Sequence, residues 1–208
     1  MGKRQETALK TRKKLLETGE KLIRERGFDS VSVEDITTAC GVAKGTFYTY
    51  FKRKEDIVQE LSFREFGEIA ERTKAMHGTF LEKLAYYAVH FSAHIENAGV
   101  KMAQQWTKNV IDPTSDICSE YSKLDYDTKT LFDIFAFSVQ NRELSADIPV
   151  AEFVDLLNAQ LYGLMVCWCM SDGNYSLTAR TEQFCRFALR RLFEPYLVNI
   201  DHHGGNQV

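Results

Sequence analysis

Residues 32–54, S-V-E-D-I-T-T-A-C-G-V-A-K-G-T-F-Y-T-Y-F-K-R-K, constrain the fold more than any other part of the chain. Ser32 is a strong N-cap residue, and Asp35 three positions on supplies an acidic form of the capping box. Val33, Ile36 and Ala39 follow at helical spacing as a narrow apolar stripe. Cys40-Gly41-Val42 interrupts that period, and Gly41 can take the left-handed conformation that closes a helix. A second helix is expected over 43–51, with Phe47 and Phe51 inward at i, i+4. That arrangement leaves Lys44, Gly45, Thr46, Tyr48, Thr49 and Tyr50 largely outward. Two short helices joined by a Gly-containing turn make a helix-turn-helix. The outward set carries ammonium and hydroxyl donors and no acid, which is the chemistry that phosphates and base edges require.

The charge distribution agrees with this placement. The whole chain of 208 residues has a formal net charge of −3. Residues 1–54 hold 13 basic and 7 acidic side chains, a net +6, and the remainder holds 13 and 22, a net −9. Gathering the basic charge beside a helix-turn-helix gives the electrostatic footprint of a DNA-binding head. The Lys/Arg cluster near the start of the first helix either touches DNA backbone or is a solvated face.

The segment G-V-A-K-G-T-F-Y-T-Y-F-K-R-K-E-D resembles the recognition helix, and the start of the next helix, of the TetR family of bacterial transcriptional regulators. The spacing of Gly41, Gly45, Tyr48, Phe51, Lys54 and Glu55 carries the resemblance, which is dense over residues 8–60 and diffuse beyond. It implies an all-α homodimer with a DNA-binding domain at 1–54, an effector-binding and dimerisation domain at 55–200, and a polar, Gly-rich tail at 201–208 expected to be disordered. By the same resemblance Tyr48 and Lys54 match family contacts to backbone phosphate, and Gly45 lets the helix approach the groove. Lys44, Thr46, Thr49 and Tyr50 join the DNA-facing set, with Ser32 and Thr38 as further phosphate or base contacts. The implied partners are a palindromic double-stranded operator, a second copy of the chain and a small amphipathic effector. Two heads about 34–36 Å apart can read such a palindrome in successive major grooves.

Only three prolines and no long β-branched alternation point to a mostly helical chain. Helices are expected over 7–26, 54–74, 81–97, 100–110, 115–141, 150–170 and 178–197. Inward faces are read as Ala8, Leu15, Gly19, Leu22 and Ile23; Ile57, Val58, Leu61 and Phe66; Leu84, Tyr87, Ala88, Phe91 and Ile95; Leu124, Leu131, Ile134, Phe135 and Phe137; and Phe184, Phe187, Ala188 and Leu192. Phe28 is expected to plug the core after Gly27 ends the first helix. The last two long helices carry more apolar surface than one small bundle hides, and by resemblance they pair with those of a partner. No apolar run is expected to reach the roughly 18 residues that span a bilayer, and no membrane partner is inferred. The start, M-G-K-R-Q-E, lacks the apolar region of an export signal, so the protein is expected to be cytoplasmic.

Trp106, Phe135 and Tyr162 are candidate walls of the effector pocket, since amphipathic ligands favour mostly apolar walls with a few polar groups. Five scattered cysteines, with Cys167 and Cys169 read as buried packing residues, fit free thiols in a reducing compartment. His90 and His94 share a helix face at a spacing compatible with metal, but two ligands make no site, and no metal or cofactor is assigned. A redox or metal sensor using Cys40 or the His90/His94 pair stays open as an alternative, as does a helical binding module without DNA function. Phosphate-loop, nucleophile-elbow and zinc-protease motifs are absent, so catalysis is not expected.

Overall fold

The computed structural model describes residues 3–111 and 123–198. The described helices are α1 (Lys3–Arg26), α2 (Val33–Cys40), α3 (Lys44–Tyr50), α4 (Lys54–Ala75), α5 (Phe80–Ala98), α6 (Val100–Ile111), α7 (Lys123–Gln140), α8 (Val150–Met170), α9 (Leu177–Phe184) and α10 (Arg190–Phe193). The chain divides within α4 into two compact units, residues 1–66 and 67–208. The expected restart at Pro113, the expected helix from 115 to 122 and the tail at 201–208 lie outside the described residues.

In the N-terminal unit, α1, α2, α3 and the start of α4 enclose Leu15, Leu22, Val31, Ile36, Cys40, Phe47, Phe51 and Ile57. Burying side chains of this size is worth roughly 1.5–3 kcal/mol each, the main force holding so small a unit together. Gly19 permits the closest approach: a Cβ there would lie 2.8 Å from Ile57 Cδ1. The arginine fork of Arg12 grips both oxygens of Glu60, one of them at 2.6 Å, tying α1 to α4. Two inward assignments need correction. Ala39 is exposed, and Thr37 and Cys40 are the residues that join Ile36 inside. Phe28 is no core plug; it is half-buried.

In the C-terminal unit, α5 starts on a capping box between Thr79 and Glu82 and buries Leu84, Tyr87, Ala88, Phe91 and Ile95, all as expected from their spacing. It packs against α6, α8 and α9, while α8 also packs on α6, α7 and α9. Phe80, Phe135, Phe153 and Phe193 form one aromatic cluster, with neighbouring ring centroids 4.6–5.7 Å apart. Glu96 of α5 closes the start of α9 by accepting from the backbone N–H and hydroxyl of Thr178 and the hydroxyl of Ser176. Deep between α5 and α9 the hydroxyls of Ser92 and Thr181 meet at 2.7 Å.

Several expectations for this unit are corrected. On α7, Leu124 and Phe137 face outward, while Asp127, Thr130 and Ser138 are buried beside Leu131, Ile134 and Phe135. On the last helix, a π turn over Cys185–Leu189 inserts extra chain into the α-helical pitch. The inward residues after it are therefore Leu189 and Phe193, and Phe187 is 65% exposed. Cys169 is buried but Cys167 is exposed. Finally, α8 is long and apolar enough to cross a membrane by length and composition, contrary to the expectation that no segment is. Its Val154, Leu157, Leu161, Met165 and Trp168 are core residues of this unit.

Candidate nucleic-acid interface and effector site

Both ends of α2 are closed by local hydrogen bonds, and these aim α3. Asp35 N–H donates to Ser32 Oγ at 3.1 Å while Ser32 N–H donates to the Asp35 carboxylate at 2.8 Å. Those Ser32 hydrogen bonds hold the Asp35 carboxyl below its ordinary range. At the other end Gly41 sits at φ 69°, with Gly41 N–H donating to Thr38 O and Val42 N–H to Thr37 O, each at 3.0 Å. This is a Schellman turn, and its left-handed residue is best met by glycine. Lys14 of α1 adds a third cap by donating to Cys40 O at 2.8 Å.

Phe47 and Phe51 then anchor α3 in the core. Opposite them Lys44, Gly45, Tyr48 and Thr49 are exposed, Thr46 is half-buried, and Thr38 of α2 is exposed. Tyr48 is 51% exposed and meets Phe47 edge-on at 5.5 Å. A Cβ at Gly45 would meet nothing within 4 Å, so the chain's own packing does not require glycine there. Lys44 Nζ lies 2.5 Å from the Glu34 carboxylate, and this hydrogen bond raises the lysine's pKa. Both partners are exposed, so the pair contributes little and a phosphate can replace it.

Three residues expected on the DNA face have internal partners. Ser32 is engaged with Asp35 as above. Tyr50, expected outward, is half-buried against the unit's core. Lys54 donates to Phe28 O and Val31 O, both at 2.6 Å, with its ammonium 3.9 Å from the Phe28 ring centroid. It fastens the 28–31 loop to the start of α4. No local pattern reveals this role, because the partners lie more than 20 positions away.

The C-terminal unit holds a buried polar network that the sequence reading missed. Lys123 and Asp127, one turn apart on α7, form an ion pair with side chains only 16% and 2% exposed. Tyr162 of α8 donates to Asp127 at 2.8 Å. Burial pushes the Asp127 carboxyl up and the Lys123 ammonium down, each opposed by the charge of the other. The Lys123 ammonium lies 5.2 Å from the Phe91 ring centroid, and Phe91 meets Tyr162 edge-on at 6.3 Å. One turn before Tyr162, Asn158 donates to Thr128 at 2.8 Å. His94 stacks on Trp106 at 6.0 Å; burial, helped by the Lys123 charge, lowers its pKa to about 4 and leaves it neutral at pH 7. Tyr162 thus lies on the network and Trp106 packs on a helix facing it, whereas Phe135 is fully buried in the separate phenylalanine cluster.

His90 stacks on Tyr86 at 3.8 Å, with Nδ1 2.8 Å from Tyr86 O. Among the described residues no group of three or more His, Cys, Asp and Glu side chains is placed to hold a metal ion. The Cys40 thiol is buried and donates to Lys14 O at 3.5 Å.

The sequence model for bacterial regulatory proteins of the tetR family matches residues 15–61, from the middle of α1 through α2 and α3 into α4. Residues 15–61 are thus similar to the bacterial regulatory proteins of the tetR family. Among curated relatives, the fatty acid metabolism regulator protein of Bacillus subtilis is 26% identical over 174 residues, covering 79% of this chain and 87% of that protein. The HTH-type transcriptional regulator AcrR of Shigella flexneri is 22% identical, with 94% of each chain covered. Among solved structures, Thermus thermophilus FadR, a TetR-family repressor in complex with lauroyl-CoA, superposes with a TM-score of 0.65 at 16% identity, over 94% of this chain and all of that one. FadR of Bacillus subtilis with stearoyl-CoA gives 0.59 at 23% identity, over 83% and 95%. With the segment match and these relatives, the chain reads as a DNA-binding transcriptional regulator whose helix-turn-helix is α2 and α3.

Proposed function

We propose that the chain acts as a homodimeric repressor that holds a palindromic operator and releases it when an amphipathic small molecule occupies the C-terminal unit. The observation that carries this is the outward face of α3, where Lys44, Gly45, Thr46, Tyr48 and Thr49 stand opposite the Phe47/Phe51 anchor, with Thr38 of α2 exposed as well. In this reading Tyr48 and Lys44 meet phosphates, Gly45 admits the groove, and Thr46 and Thr49 reach base edges. Ser32, Tyr50 and Lys54 hold the face in position, and Lys54 meets a phosphate with the ammonium proton not pointed at the two carbonyls.

Self-association is supported by the solvent side of α8 and the π turn. Leu156, Ala159, Gly163, Cys167 and Met170 recur along one exposed stripe of α8, and Phe187 stands out from the π turn. A partner presenting the same stripe would bury it in a four-helix arrangement. For the effector, relatedness to the Bacillus subtilis fatty acid metabolism regulator protein makes a fatty acyl compound the first candidate. Effector binding shifts the population toward a state with poorly spaced recognition helices, carried through α4; only differential affinity for the two states can do this. The setting is the cytoplasm, where DNA and acyl metabolites meet.

The test is fluorescence anisotropy of the full chain on a labelled duplex from upstream of its own gene, titrated with lauroyl-CoA. Loss of operator binding with rising ligand is expected. An acyl compound that binds tightly and leaves operator affinity unchanged would refute the release mechanism.

A further inference from the structure

The seam between α7 and α8 carries two polar rungs, from residues one turn apart on α8 to neighbours on α7: Tyr162 to Asp127, and Asn158 to Thr128. Asn158 is 5% exposed, and among the described residues nothing bonds its amide oxygen. Reversing the amide would only move the deficit to its NH2 group, because Thr128 satisfies one end in either orientation. A half-satisfied amide in a core is costly, and such groups persist where something else uses them. Its neighbours sharpen what that something is. Lys123 and Asp127 neutralise one another in a site with almost no water contact. A carboxylate brought there would leave a net buried charge, whereas an uncharged group would not.

We infer that Asn158, with the Tyr162–Asp127–Lys123 network beside it, binds the polar end of the effector, and that this end is an uncharged group able both to donate and to accept, such as an amide or a hydroxyl. The inference rests on the amphipathic-effector reading above and adds the chemistry of the head group. Asn158 pairs with the ligand through its unused end, and the phenol oxygen of Tyr162, whose proton goes to Asp127, offers a further acceptor. The apolar remainder of the ligand extends toward Phe91 and Trp106. Two sources share this chemistry: a small neutral lipid, and the amide-bearing arm of an acyl thioester.

The experiment compares decanamide, decanoate and decanoyl-CoA by calorimetry and by operator release, using the full chain and its Asn158→Leu variant at pH 7.5. Decanamide is expected to bind at least tenfold more tightly than decanoate, and Asn158→Leu to weaken it by about tenfold or more. The same variant, freed of a half-satisfied amide, is expected to melt about 2–4 °C higher, which shows independently that it folds. A decanoyl-CoA affinity that falls equally in the variant identifies the thioester arm as the source; one that does not identifies the neutral lipid. Decanoate binding as tightly as decanamide, a variant indifferent to both, or a variant that melts lower than the parent would each overturn the head-group assignment while leaving the effector reading intact. Failure of all three compounds to release the operator would instead remove the acyl-effector reading, and the inference with it.

Discussion

Replacing Gly45 by alanine separates stability from DNA binding at a single methyl group. Gly45 lies in α3 at ordinary helical dihedrals, since it is absent from the glycines with positive φ. A Cβ there meets nothing within 4 Å. The substitution therefore adds no clash and removes the conformational entropy that glycine loses in a helix, worth about 0.5–1 kcal/mol. For a chain of this size that raises the melting temperature by about 1–4 °C. On DNA the same methyl projects from the face bearing Lys44, Tyr48 and Thr49, and holds the backbone away from the groove. Operator affinity should drop at least tenfold, about 1.4 kcal/mol. Thermal denaturation and anisotropy on one preparation give both numbers. A higher melting temperature with unchanged operator affinity refutes the claim that this face approaches DNA; a lower melting temperature refutes the packing argument itself.

The opposite outcome is expected at Gly19→Ala, where the new Cβ meets Ile57 Cδ1 at 2.8 Å and Cγ2 at 3.1 Å; chemical denaturation should show a loss of about 1–3 kcal/mol. Tyr48→Phe removes an uncharged donor, so it should weaken binding to every duplex without changing the salt slope, whereas Lys44→Ala should flatten that slope by about 0.9 per head. His94 has a folded pKa of about 4 against an ordinary 6.5, so the unfolded chain takes up the proton first as pH falls. Stability from this group is full above about pH 6.5 and is lost toward pH 4. Between pH 7 and 5 the loss should be about 2 kcal/mol, and should vanish in His94→Gln measured by the same denaturation series.

The helix-turn-helix was legible because each of its signals is local. The Ser32/Asp35 box, the Gly41 turn and the Phe47/Phe51 pair act within five residues, so no distant contact can move them. The inner face of α5 was legible for the same reason: its apolar residues keep one period, and no buried polar group competes. On α7 that logic reverses. Asp127, Thr130 and Ser138 occupy inward positions, so a stripe drawn from apolar residues alone turned Leu124 and Phe137 the wrong way. On the last helix the period itself changes at the π turn, which no residue between 185 and 189 announces, and Phe187 moves from the expected core to the surface. Lys54 and Asn158 show a third kind of limit. The first, expected by resemblance to meet phosphate, braces a loop more than 20 residues upstream; the second is an ordinary asparagine until α7 is laid against it.

The central claim, sequence-specific reading of DNA by α3, is met most directly by one salt-titrated anisotropy measurement. The full chain is mixed with a duplex from upstream of its own gene and, separately, with a scrambled duplex of equal composition. The expected result is binding to the native sequence about 10³-fold tighter at physiological salt, with both affinities falling steeply as salt rises. Equal, weak binding to the two duplexes across selected and random sequences, by a chain that remains folded, would contradict it.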